Sequence, residues 1–130
     1  MKIIIIEGRE YKLLRYNGMW VFPIISTYEY GMGSPIAMLL DVLEKDHLVY
    51  YGDITVNLPE CNRSAGCQFI DINNNGIPII DWLEENNFGK RTGKFGVSGF
   101  CKYPEFDFYQ GQAFYEYKQI NDRHNGKENR

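Results

Sequence analysis

Asn17-Gly18 constrains the fold of this chain more than any other feature. The pair interrupts "EYKLLRYNGMWVFPIISTYEY", two runs rich in β-branched and aromatic residues. Both turn residues accept positive φ, as a type I′ hairpin turn requires. Gly8-Arg9 separates "KIIIIEG" from "EYKLLRY" in the same manner. The opening third is therefore predicted to be a series of antiparallel strands. Pro23 has no amide to give to a ladder, which puts the third strand at a sheet edge or at a bulge.

The following stretch, "GMGSPIAMLLDVLEKDHLVYYGDITVNLPE", supports two readings. Ser34-Pro35 resembles an N-cap followed by proline at the first helical position, with Ile36, Leu39, Leu40 and Leu43 on one helical face. Against that, residues 48–58 read as a strand, and only "EKDH" separates the two segments, which suits a hairpin turn. A strand over 35–43 is preferred, with a helix as the alternative. Further on, "NNNGIPIIDWLEENNFG" predicts a helix over about 76–87. Asn74 or Asn75 would cap it, Pro78 falls in its first turn, Ile79, Trp82 and Leu83 form its apolar stripe, and Gly89 stands at C′. Two strands are expected after it, in "SGFCKYPEFDFY" and "QAFYEYKQI".

These elements describe an α+β domain: a mostly antiparallel β-sheet with one main helix (about 76–87) packed on one face. With 130 residues, 44% apolar and 15% aromatic, the chain has enough to bury in one core. Residues 1–118 are read as a single domain and 119–130 as a polar, aperiodic tail expected to fray. The run Ile3 to Ile6 is far shorter than the roughly 20 residues of a membrane span, and no signal-peptide core follows it. A cytoplasmic chain is expected. Cys61, Cys67 and Cys101 are an odd set, expected to be reduced structural thiols rather than a disulfide framework.

Charge is unevenly placed. Residues 29–88 hold ten acidic residues against Lys45 and Arg63, a net of −8, whereas residues 90–102 hold Lys90, Arg91, Lys94 and Lys102 with no acidic residue. The basic stretch is also rich in glycine: Gly89, Gly93, Gly96 and Gly99. Neither the Walker spacing nor the dinucleotide fingerprint is present, and the predicted helix precedes the glycines instead of following them. A compact loop is expected, its glycines at positive φ and Phe95 and Phe100 plugging the core. "DINNNG" opens like a calcium loop, but Trp82 occupies the twelfth position, where a bidentate carboxylate is needed, so a turn and helix cap are expected. Neither histidine lies at zinc-finger spacing from Cys61 and Cys67. No nucleophile has an evident base beside it, so no catalytic residue, metal or cofactor is expected.

The run from "YGDITVNLPE" through "FIDINNNGIPIIDWLEENNFGKRTGKFGVSGFCKYPEFDF" resembles a family of short bacterial proteins of unknown function, encoded largely on conjugative and other mobile elements. The resemblance covers about residues 48–108, and the family's preceding hairpin would fit 35–58. "ECNRSAGC" is additional to the pattern, and the first thirty residues and the tail depart from it. The family brings no established catalytic residues.

Its setting implies a non-enzymatic, protein-binding module, an anti-CRISPR-like inhibitor of a host defence nuclease. Such a protein would present carboxylates to a cationic nucleic-acid channel, and Asp41, Glu44, Asp46 and Asp53 are the candidates. The partner implied is a CRISPR effector nuclease. The alternatives are a nucleic-acid-associated accessory protein acting through Lys90, Arg91, Lys94 and Lys102, and a self-associating module using an exposed edge strand.

Overall fold

A computed structural model of the chain describes residues 1–126. Strands β1 (Lys2–Ile6), β2 (Arg9–Tyr16), β3 (Met19–Thr27), β4 (Ile36–Glu44) and β5 (His47–Asp53) form an antiparallel sheet in chain order. A second antiparallel sheet has the order β6-β7-β9-β8, from β6 (Thr55–Val56), β7 (Cys67–Ile70), β8 (Lys90–Ser98) and β9 (Cys101–Asp107). Short helices α1 (Ile72–Asn75) and α2 (Pro78–Glu85) lead into β8, and a 3-10 turn (Phe108–Gln110) leads into α3 (Gln112–His124). The α+β class holds, with two sheets in place of the expected one.

The predicted hairpins form, the first with its turn at Glu7-Gly8, one residue earlier than the expected Gly8-Arg9, because Arg9 already pairs with Ile6. Glu7 and Gly8 have φ of 50° and 78°, and Asn17 and Gly18 have 48° and 77°. These left-handed pairs match the twist of the strands they join. The 35–43 segment is strand β4, paired with both β3 and β5. The sheets meet where the chain leaves β5. The Ile54 amide donates to the Met38 carbonyl at 2.9 Å, and the Met38 amide to the Thr55 hydroxyl at 3.0 Å. The Gln68 side chain donates to the Ile36 carbonyl at 3.0 Å. Leu13, Val21, Leu40, Ile54, Ile79, Leu83, Phe88 and Phe106 belong to one continuous buried cluster fed by both sheets and the helices.

Three expectations are corrected. "QAFYEYKQI" is helical, within α3, and α3 rather than α2 is the longest helix. Its buried residues, Phe114, Tyr117 and Asn121, recur at three and four positions, whereas Tyr115 between them is exposed. Residues 119–124, read as tail, are the last turns of this helix; residues 127–130 of that tail lie outside the described residues. The caps of α2 also differ. Asp71 accepts from the Asn74 amide and caps α1, while α2 starts at Pro78 without a side-chain cap. Asn87, at φ 63°, takes the left-handed position after α2, and the Phe88 amide bonds the Leu83 carbonyl at 2.9 Å. Gly89 serves instead as a crossing point: a Cβ there would lie 2.1 Å from the Asp107 carbonyl oxygen.

Pro23 lies inside the sheet, opposite Leu40, not on an edge strand. What makes it tolerable is a split. The β2–β3 ladder spans only Leu14↔Val21 to Tyr16↔Met19, while β2 from Arg9 to Leu13 pairs with β1. Beyond Val21, therefore, β3 has no ladder on its β2 side, and the amide that proline lacks is not needed there. Helix α3 packs at this opening. Its Asn121 amide donates to the Pro23 carbonyl at 3.2 Å, and the Tyr117 hydroxyl donates to the Lys12 carbonyl at 2.8 Å. One helical turn apart, these two side chains satisfy carbonyls that the split leaves without strand partners.

Candidate functional site

The most distinctive surface is the β8–β9 hairpin, and its base and outer half are built differently. At the base Lys90 pairs with Asp107 and Arg91 with Phe106. Thr92, Gly93 and Lys94 then bulge outward before pairing resumes at Phe95↔Pro104 and runs to Ser98↔Cys101. Gly93, at φ 87°, permits the bulge. From inside, Glu105 holds it. This side chain is 1% exposed, with Oε1 accepting from the Thr92 hydroxyl at 2.8 Å and Oε2 from the Ser64 amide at 3.1 Å.

Beyond the bulge, alternation decides which residues face out. Gly96 points inward, where a Cβ would lie 2.8 Å from the Phe69 ring. Phe95 and Val97 on either side must then face away, and each is 55% exposed. Phe100, in the turn, is fully exposed. Lys102 sits 5.8 Å over the Phe95 ring. Lys90, Lys94 and Lys102 are exposed and, among the described residues, make no ion pair. The expected core-plugging loop is thus an outward strand hairpin, and Phe95 and Phe100 are surface residues.

Arg91 has another role. Its guanidinium bonds Asp81 at 2.5 Å and Glu84 at 2.6 Å, and its amide bonds Glu84 at 2.9 Å. The Glu84 carboxyl is held below its usual range, chiefly by these hydrogen bonds, and the guanidinium is pushed still further up. Arg91 ties the hairpin base to α2 and is not free for a partner.

The four acidic candidates do not make one patch. Glu44 ends β4 and Asp46 lies in the exposed β4–β5 turn, 3.2 Å from the His47 ring nitrogen. Asp53 is at the other end of β5, seven residues from Asp46, or about 23 Å at strand rise. Asp41 is half-buried opposite Phe22 and lines a cleft of about 360 Å³ with His47, Asn121 and His124. Burial pushes its carboxyl up.

His124 and Cys67 are packed into structure. The His124 ring lies against Tyr11 and Phe22, at 4.8 and 6.0 Å, and burial followed by Arg9 lowers its pKa. Burial, reinforced by Glu105 and Asp107, pushes the Cys67 thiol up to about 12, so the nucleophilic thiolate is disfavoured. The Cys61 thiol donates to the Val97 carbonyl at 3.5 Å. Among the described residues no three of His, Cys, Asp and Glu gather as a metal site, and no helix is long and apolar enough to cross a membrane.

Sequence reading placed the cations but missed Val97 and misdirected Phe95 and Phe100. A usable signal was present: in "KFGVSGF" the positions alternating with Phe95 and Val97 are Gly96 and Ser98, which leaves the bulky residues on the other face.

No curated protein matches the chain, and no solved structure does. A family model described as "Domain of unknown function (DUF4313)" matches residues 24–126, from within β3 through α3, and includes the whole β8–β9 hairpin. Residues 1–23, which form β1, β2 and the start of β3, lie outside that match. The match takes in most of the chain, which therefore belongs to the DUF4313 family.

Proposed function

We propose that this protein is a non-enzymatic binding module and that its contact surface is the outward half of the β8–β9 hairpin. The carrying observation is the exposure of Phe95, Val97 and Phe100 beside Lys94 and Lys102 on a braced strand pair. Exposed aromatics on a rigid support lose little entropy on binding and make strong anchors. The lysines select a negatively charged partner, and the apolar side chains ask it for a depression to fill. An acidic protein surface with an apolar pocket answers both requirements.

The test is affinity capture from the native host with the wild-type protein and with Phe95→Ala/Phe100→Ala. A partner retained by the first and lost by the second supports the hairpin; equal retention by both removes it. Binding of short single strands of DNA or RNA that weakens steeply with salt would instead make the partner a nucleic acid.

A second reading concerns the acidic side. Glu44 at the end of β4, Asp46 in the β4–β5 turn and Asp53 at the far end of β5 are exposed, and β5 is an edge strand that also exposes Tyr50 and Tyr51. Carboxylates spread over about 23 Å suit a long cationic channel better than a single cation. That favours an inhibitor from a mobile element that occupies the nucleic-acid channel of a defence nuclease, a CRISPR effector among them. Cleavage assays with a panel of such effectors test it, and full cleavage by all of them at saturating protein would end it.

A further inference from the structure

We propose that two copies of this chain associate through β1, antiparallel about a two-fold axis, with Ile3 of each copy opposite Ile5 of the other. The surface differs from the hairpin and does not depend on its function.

The case rests on a comparison of the open sheet edges. β6 is two residues long. β8 is interrupted by the Thr92–Lys94 bulge, and its Val97 carbonyl already accepts from Cys61. The β5 ladder shifts register at Leu40/Asp41. Bulges, very short strands and occupied edges are the devices by which sheets discourage pairing with another chain. β1 has none of them. It pairs with β2 through five rungs in unbroken register, carries no proline, and has no charge between Lys2 and Glu7. Among the described residues nothing pairs with its other side.

The edge also complements itself. Ile6↔Arg9 closes a two-residue turn, and such a closing pair exchanges both of its hydrogen bonds; Ile4↔Tyr11 and Lys2↔Leu13 repeat the pattern two and four residues away. The amides and carbonyls of Ile3 and Ile5 therefore point away from β2. An antiparallel copy that sets Ile3 against Ile5 brings these open groups together, and the two-fold repeats the exchange to give four bonds. It also joins the side chains of Ile3 and Ile5, 53% and 73% exposed, into one patch of four isoleucines. Each Lys2 falls opposite Ile6 of the other copy, next to that copy's Glu7, which complements it in charge. The resulting sheet would have ten strands. β1 lies outside the residues that the family model matches.

One strand per copy is a small contact, so the association belongs at the weak end of protein interfaces. Sedimentation of the full chain from about 10 μM to about 1 mM spans the range for such a contact. The average mass is expected to rise from one chain towards two. A single-chain mass throughout overturns the proposal. Ile5→Lys, which sets a charge in the isoleucine patch, is expected to remain a single chain with unchanged far-ultraviolet dichroism; association like that of wild type would mean that β1 is not the contact. Register is read separately by Ile4→Cys in a Cys61→Ala/Cys101→Ala background, which removes the two partly exposed thiols; the new thiols would lie directly opposite each other and join under mild oxidation into a covalent dimer that the background without Ile4→Cys is expected not to form. Wild-type association without that cross-link overturns the register.

Discussion

At the base of the β8–β9 hairpin Phe106 is fully buried and Arg91 is clamped between Asp81 and Glu84; six residues before Phe106, in the turn, Phe100 is fully exposed. The same strand pair thus carries both kinds of residue. The base is tied to α2 by Arg91 and locked from beneath by Glu105, and this bracing lets the outer half keep apolar side chains in water without help from neighbours. The difference teaches that stability and recognition are divided along the hairpin, so substitutions should separate the two.

The largest effect is expected at the base. Phe106→Ala empties a fully buried ring position and should cost about 3–5 kcal/mol, read as a lower midpoint in denaturant. A cost near zero would show that the base is not the anchor. Arg91→Ala should cost less, up to about 1 kcal/mol, because the ion pairs are largely solvated. Its pH dependence has a definite sign. The folded-state pKa of Glu84 is depressed, so the contribution is fully present above the ordinary carboxylate range and is lost as pH falls through the folded value. Wild type and Arg91→Ala should therefore converge in stability in acid, and also in high salt; a gap that widens in acid would contradict the ion pair. The smallest stability effect belongs to Phe100→Ala, within about 0.5 kcal/mol, although it removes a proposed anchor. Marked destabilisation by that change would mean that Phe100 packs against the fold, and the contrast between base and tip would fail.

Much of the first sheet was legible in local chemistry. Asn17-Gly18 announces its own turn, Gly8 marks the other although Gly8-Arg9 was one residue late, and "EKDH" between two apolar runs favours a hairpin over a helix. The apolar face of α2 was also readable, since Ile79 and Leu83 lie one turn apart. Helix α3 was not. Phe114, Tyr115 and Tyr117 alternate closely enough to imitate a strand, and the residue that settles the helical period, Asn121, is polar and buried only because a distant carbonyl receives it. Pro23 misled for a related reason: whether a proline is tolerable depends on where the neighbouring ladder ends, which is a property of three strands and a helix together. At the candidate surface the charges of Lys90, Lys94 and Lys102 were evident from composition. The capture of Arg91 by α2 and the scatter of Asp41 and Asp53 away from Glu44 and Asp46 depended on tertiary placement.

The bonds that α3 makes to the split between β2 and β3 have a consequence for the birth of the protein. The Tyr117 hydroxyl reaches a carbonyl 105 positions earlier in the chain. At roughly 5–20 residues per second, the first strands leave the ribosome about 5–20 s before the helix that seals them is made. Throughout that interval the nascent opening is solvated, and β1 with its isoleucines is available to whatever is nearby. Completion of the first sheet is thus timed by the translation of α3, a distant and later segment of the chain.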